Sequence, residues 1–238
     1  MIHNFPGIGQ REGFRMTKEL FCQAILKFVL GVIVTGVLTF LPAGTFDYWN
    51  AWLLMGVLFI PMFFAGIVMM IKNPELLKKR LNSREQQAEQ NLVIKLSGLM
   101  FVVGFVTAGL DFRFQWLILP DWASWGGAVL FLLSYLLYAE VLRENTYLSR
   151  TVEVQSGQKV IDTGLYGIVR HPMYSATILL FFSMPLVLGS ILSFVIFLTY
   201  PVILAKRIRN EEAVLEENLD GYSEYKKKVA YKIIPFIW

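Results

Sequence analysis

The strongest constraint on this chain is the length of its apolar runs. Leu20–Leu41, Trp49–Ile71, Leu92–Leu117 and Trp122–Leu142 carry almost no charge, and each reaches the roughly 20 residues that an α-helix needs to cross a hydrocarbon core. A fifth run, Met173–Ala205, is longer still. As one helix it would extend about 50 Å at 1.5 Å per residue, well beyond a core of about 30 Å. Pro185 and Gly189-Ser190 fall in its middle, so a tight helical hairpin that crosses twice is the better solution. Composition agrees: 55% of the residues are hydrophobic and 17% charged, against roughly a quarter charged in a soluble domain. The expected fold class is all-α, a polytopic membrane protein with about six crossings, the last two forming a hairpin.

In such a chain the net charge of +4 is a matter of topology. Arg11, Arg15 and Lys18 precede the first run, and the first connection has no Lys or Arg. Lys72, Lys78, Lys79, Arg80 and Arg84 follow the second run, Arg143, Arg150, Lys159 and Arg170 the fourth, and Lys206, Arg207 and Arg209 the hairpin; Arg113 alone falls on the other side. The positive-inside rule therefore puts both termini and the Arg170-His171 stretch in the cytoplasm. A single crossing after Pro172 would strand the basic C-terminus outside. The bases do not interleave with aromatics on a polar face, so nucleic acid is not an expected partner. Cys22 is the only cysteine and His3 and His171 the only histidines, which gives no intrachain disulfide and no expected metal site. The first apolar run is too long for a signal-peptide core, so residues 1–19 are expected to be a polar cytoplasmic tail.

Between the spans lie shorter signals. Lys27 sits near the basic end of the first run and is expected to snorkel to the headgroups. Asn73-Pro74-Glu75 opens a helix with a capping side chain, a proline at the first position and an acid in the first turn. Residues 74–91 then read as a helix on the membrane surface. Thr151–Val154 and Lys159–Ile161 around Ser156-Gly157 resemble a small β-ribbon. Beyond the hairpin, about Ile203 to Leu219, Leu204, Ile208, Leu215 and Leu219 share one face of a helix, with Glu211 and Glu212 at its edges. Arg207 stands four residues before Glu211 and can pair with it. Tyr222 and Tyr225 follow, and interfacial anchors are one of the two readings open for them. The chain thus divides into the tail 1–19, a four-span bundle 20–142, and a half 143–238 made of a polar loop, the hairpin and a C-terminal helix.

The loop before the hairpin carries the chemistry. Pro172 suits the first helical turn, where its missing N–H would be unpaired anyway, and it pushes His171 toward an extended backbone. A helix N-terminus beside Arg170, His171 and two tyrosines is a ready place for an anionic or mixed-charge small molecule. The hairpin should bring Tyr166, Arg170, His171 and Tyr174 to Arg207, Glu211 and Glu212. Carboxylates on the edge of an apolar face need partners or a ligand cation. From the residues alone, an ion-pair network and a binding site remain equal alternatives.

The pattern Gly164-Leu165-Tyr166, Arg170-His171-Pro172-Met173-Tyr174, an apolar hairpin, then Glu211-Glu212-Ala213-Val214-Leu215 and Tyr222-Ser223-Glu224-Tyr225 resembles the isoprenylcysteine carboxyl methyltransferase family of integral membrane methyltransferases. The match covers about Asn145 to Pro235. The resemblance implies S-adenosylmethionine as methyl donor, bound at the cytoplasmic face, with S-adenosylhomocysteine as product. It implies that Tyr166, Arg170, His171, Pro172 and Tyr174 line the cofactor cleft and that Glu212, with Glu211, holds the donor's amino or ribose groups. Arg207 and Glu211 would be the catalytic pair, Arg207 orienting an anionic acceptor and a Glu taking a proton from an amine acceptor. The implied partners are membrane lipids and a lipophilic or lipid-linked acceptor, such as the carboxylate of a prenylated cysteine. Three alternatives stand beside this: a phospholipid amine N-methyltransferase, an NADPH-dependent membrane reductase of the sterol-reductase type, and a non-enzymatic scaffold. No strand precedes a G-x-G-x-x-G pattern that would favour a nicotinamide.

Overall fold

The computed structural model describes residues 17–81, 88–148 and 154–238. The described residues form helices and connecting turns, with no strand among them. The first four apolar runs become α1 (Lys18–Ala43), α2 (Trp49–Lys72), α4 (Ala88–Phe114) and α5 (Asp121–Glu144). All four are long and apolar enough to cross a membrane, as is the stretch Ile191–Asn218. Much of the large apolar surface faces outward, Leu26, Ile60, Leu136 and Val202 among it. Only a bilayer makes such a surface favourable, and the chain is a multi-pass membrane protein.

Local chemistry explains the helix ends. The Thr17 hydroxyl accepts from Leu20 N at the start of α1, and Gly44 closes it in the left-handed region. Asn73 caps the short α3 (Pro74–Leu81), its Oδ1 accepting from Leu76 N at 3.0 Å. The expected surface helix 74–91 is thereby corrected. Its described part ends at Leu81, residues 82–87 lie outside the described residues, and residues 88–91 already belong to α4. Lys27 does not simply reach for headgroups: its Nζ donates to the Leu81 carbonyl and fastens the end of α3 to α1. α4 stops three residues short of its apolar run, because the Asp111 carboxylate accepts from Leu117 N at 2.8 Å and turns the chain out of the helix.

The long apolar run does fold back on itself. α6 (Pro172–Val187) ends in a turn at Leu188–Ser190, and α7 (Ile191–Phe197) leads the chain back. A break at Leu198-Thr199 precedes α8 (Tyr200–Asn218), where Pro201 cannot supply the N–H that would continue α7. Gly189 makes the turn with φ +72°, and a Cβ there would press on the Asn50 side chain. The turn's backbone is satisfied from neighbouring connections. Leu119 N donates to Gly189 O, Ile191 N to Leu117 O, and the Tyr48 hydroxyl to Leu188 O. The Ser190 hydroxyl adds a bond to Asp111 Oδ2 at 2.5 Å. The α1–α2 and α4–α5 connections and the hairpin turn therefore share one end of the bundle. A core of Tyr48, Leu54, Phe131, Phe197 and Leu204 fills the space between the helices.

The described part of the polar segment after α5 forms no β-ribbon. Thr151–Glu153 lie outside the described residues, and residues 154–163 form no strand. Gly157 does make the expected turn, with φ +72°. Val154 and Val160, however, pack against Tyr222, Tyr225 and Val229 of the C-terminal segment instead of pairing with each other. Two short isolated strands are marginal, and burial on a neighbouring helix is the better use of the same valines.

Candidate active site

At the other end of the bundle, the start of α6 meets the polar part of α8. Glu144, at the end of α5, prepares this meeting: its carboxylate accepts from Leu165 N at 3.0 and 3.2 Å and anchors a 3-10 turn over Gly164–Gly167. Gly164 is required there, with φ +54° and the Glu144 carboxyl where a Cβ would stand. The turn presents Tyr166, whose hydroxyl accepts from Asn145 Nδ2 at 3.0 Å. The chain then bends through Arg170-His171, and Pro172 takes the first turn of α6.

The bend is strapped by the C-terminal segment. Arg170 N donates to Tyr231 O and His171 N to Lys232 O, at 2.9 and 2.8 Å. The Arg170 Nη1 reaches the carbonyls of Val229 and Ala230, and the Ser175 hydroxyl that of Ile233. Held in this way, Arg170 Nε donates to Glu212 Oε1 at 2.7 Å and His171 Nε2 lies 3.2 Å from the same oxygen. A carboxylate only accepts, so His171 carries its proton on Nε2 in this contact. Lys232 Nζ stands 3.4 Å from the second Glu212 oxygen. The apolar stretch of α8 ends at Ala205, and Glu212 lies beyond it. Burial would raise the Glu212 pKa, but hydrogen bonds from His171 and Arg170 and their charges outweigh it and hold the group at about 2.

A second layer faces outward. Arg207 Nε donates to the Tyr174 hydroxyl at 2.8 Å, and that hydroxyl donates to Glu211 Oε2. Arg207 and Glu211 are thus linked through Tyr174. Around them opens a cleft between α8, the start of α6 and the loop after α5. Tyr166, Arg170, His171, Tyr174, Arg207 and Glu211 line it. Pro172 and Glu212 do not: Pro172 is buried as the helix start, and Glu212, 5% exposed, lies behind the wall formed by Arg170 and His171. Apolar side chains of α8 and of the loop after α5, Val214, Leu215, Val160 and Ile161, complete the walls.

Two residues that the sequence leaves open as interfacial anchors belong to this site. Tyr222 and Tyr225, in α9 (Tyr222–Lys228), are buried and line the cleft. The Tyr225 hydroxyl donates to Tyr166 O at 2.8 Å. The Tyr222 hydroxyl is buried and has no hydrogen-bond partner. Burial first, then the Glu212 and Glu211 charges, push its pKa up, so it remains a protonated donor. The signal that could have found it is its spacing: Tyr222 and Tyr225 sit three apart on a helix, beyond a Gly221 that turns the chain back at φ +83°.

Residues 127–217 match the model of the isoprenylcysteine carboxyl methyltransferase family. The fold is similar to that of the eukaryotic intramembrane Ras methyltransferase ICMT (isoprenylcysteine carboxyl methyltransferase), solved without a monobody. The TM-score is 0.57 at 19% identity, over 90% of this chain and 77% of that one. The likeness in fold extends beyond residues 127–217 to most of the chain. The chain is also 31% identical over 91 residues to the mouse Delta(14)-sterol reductase TM7SF2, a match that takes in 37% of this chain and 22% of the reductase. It thus spans about a fifth of that curated relative's length.

Proposed function

We propose that this protein is an integral membrane methyltransferase that uses S-adenosylmethionine and acts on a lipophilic acceptor, the carboxylate of a prenylated cysteine. The observation that carries this reading is the buried, unpartnered Tyr222 hydroxyl in a cleft that also holds the Glu211 carboxylate. An orphaned donor costs about 1–3 kcal/mol, and a ligand acceptor atom would recover that cost. A zwitterionic nucleoside donor fits the set. Glu211 is placed for its ammonium, Tyr222 for a carboxylate or ribose oxygen, and Val214, Leu215, Val160 and Ile161 for the face of a base.

When bound, S-adenosylmethionine supplies a methyl group on a sulfonium, activated for attack. The chain's own residues bind, orient and desolvate. A carboxylate acceptor needs no base, so alignment and exclusion of water dominate the demand on the protein. Arg207, with Nε fixed on Tyr174, brings the positive charge that orients an anionic acceptor. Glu212 acts from behind, holding Arg170 and His171 in the cleft wall, and is a positioning residue in this reading. The cleft opens at one end of the apolar bundle, so a lipid-linked acceptor can reach it without leaving the bilayer.

One observation favours a second reading. The chain is 31% identical over 91 residues to a Delta(14)-sterol reductase, and a reductase would place NADPH in the cleft. Equilibrium binding to the purified protein in detergent separates the two. Saturable S-adenosylhomocysteine binding, weakened by Glu211→Gln and lost in Glu212→Ala, is the expected result. NADPH binding without S-adenosylhomocysteine binding would transfer the site to the reductase class. Binding of neither by a folded sample would leave the scaffold reading in the lead.

A further inference from the structure

Arg80 is the last arginine before the described part of α3 ends, and its side chain is unusual in this molecule. Arg170 is engaged through Nε and Nη1 by Glu212 and two carbonyls, and Arg143 by both oxygens of Glu140. Arg80, by contrast, has both Nε and Nη2 buried without a hydrogen-bond partner. Its guanidinium lies over the Tyr138 ring of α5, with Cζ 5.4 Å from the centroid. An aromatic face offers a cation part of what it loses on leaving water, but it satisfies none of the in-plane N–H donors. A guanidinium edge left bare in this way fits the two oxygens of a carboxylate or phosphate.

The position connects this edge to the cleft. Leu77 and Leu81 of α3 are anchored against Leu20 and Ala24 of α1, and Lys27 fixes the Leu81 carbonyl. On the other side Lys79 Nζ donates to Gln155 Oε1 at 2.9 Å, and Gln155 Nε2 donates to the carbonyl of Tyr147, a cleft residue. α3 is therefore bolted between the membrane-facing helix α1 and the rim of the cleft. The Arg80 charge also reaches Tyr166 in the cleft wall, where it opposes the rise in pKa caused by burial. Arg207 lines the cleft with Nε already engaged by Tyr174.

We propose that Arg80 is an anion-holding residue on the side of α3 that meets Tyr138 of α5, its Nε and Nη2 edge taking the oxyanion of a membrane-borne ligand. The inference rests on the methyltransferase reading for the ligand's identity, the acceptor's carboxylate, whereas the chemistry of the site calls for any lipid-linked oxyanion. A lipid phosphate is the other source of the same group.

The test uses the full-length protein in phosphatidylcholine nanodiscs and reads binding, not turnover. The probes are S-farnesylated N-acetylcysteine, its methyl ester, and S-adenosylhomocysteine, with a second set of discs containing phosphatidylglycerol. Wild type should bind the acid more tightly than the ester. Arg80→Gln should weaken the acid by about ten- to a hundredfold and leave the ester and S-adenosylhomocysteine unchanged. Arg80→Lys keeps the charge but loses the fork and should fall between, which preserves the test if Arg80→Gln does not fold. If phosphatidylglycerol competes in wild type but not in Arg80→Gln, and the acid is unaffected by the substitution, the oxyanion is a lipid phosphate. Equal acid and phosphatidylglycerol behaviour in both variants, with S-adenosylhomocysteine still bound, would overturn the inference. Loss of S-adenosylhomocysteine binding in wild type would instead count against the methyltransferase reading, because the acid-versus-ester comparison is independent of it.

Discussion

Two carboxylates next to each other in sequence have opposite fates, and the difference decides what each substitution does. Successive helical residues point about 100° apart. Glu212 therefore turns inward onto Arg170 and His171, and Glu211 turns outward to the cleft. Removing Glu212 leaves the buried Arg170 without its carboxylate, and such a loss costs about 3–5 kcal/mol; Glu212→Ala should lower the thermal midpoint in detergent as well as ligand binding. The pH dependence has a definite sign. The folded pKa of about 2 lies below the ordinary value of about 4.3, so this stabilisation is complete above pH ~5 and disappears as the pH falls toward 2. Wild-type midpoints measured at pH 6, 4 and 3 should drop more steeply than those of Glu212→Gln, and parallel slopes would remove the ion pair from the account. Tyr222→Phe should behave in the reverse way. Deleting an orphaned buried hydroxyl leaves stability unchanged or raises it by about 1 kcal/mol, while S-adenosylhomocysteine binding weakens about tenfold. A loss of stability without a loss of binding would make Tyr222 an ordinary core residue.

Helix contacts inside the bilayer are set by the distance of closest approach, and here adjacent glycines differ sharply. α5 and α6 form the most extensive helix pair in the bundle, and Gly127 stands in the seam. A Cβ at Gly127 would come within 2.8 Å of both Leu186 Cβ and Val187 N. A Cβ at Gly126 would meet nothing within 4 Å. Gly127→Ala must part the two helices and should cost about 1–3 kcal/mol, whereas Gly126→Ala should be neutral or slightly stabilising. Thermal unfolding of the two variants side by side is the check, and equal effects would mean that the seam is looser than its geometry implies. Gly109 is held in the same way, with the Thr39 carbonyl 2.5 Å from where its Cβ would stand. A glycine pair carries no mark of which member faces the neighbour, since helix rotation is fixed by the rest of the bundle.

The spans and the hairpin could be read from the sequence because the bilayer imposes a length, and run length is a one-dimensional quantity. The meeting of Arg170-His171 with Glu211-Glu212 followed from the hairpin for the same reason. The strap 229–233 could not be read, because it grips Arg170 and His171 largely through backbone carbonyls, which every residue has. The hairpin itself makes the last prediction. α6 has 16 residues, about 24 Å at 1.5 Å per residue, short of a core of about 30 Å. Its turn is nonetheless held by Asp111, Tyr48 and the α4–α5 connection, so it is tied to the far end of α4. A backbone turn at that depth is allowed because its groups are satisfied by protein. Six crossings are therefore the expected count, with Phe46, Trp116 and Ile191 expected on one side and Glu217 on the other. Single cysteines at these four positions, introduced after replacing Cys22, should label with an impermeant thiol reagent from opposite faces of sealed vesicles. If position 191 labels opposite to 46 and 116 while 217 labels with them, then α6 does not cross and the count falls to five. The two termini would then lie in opposite compartments.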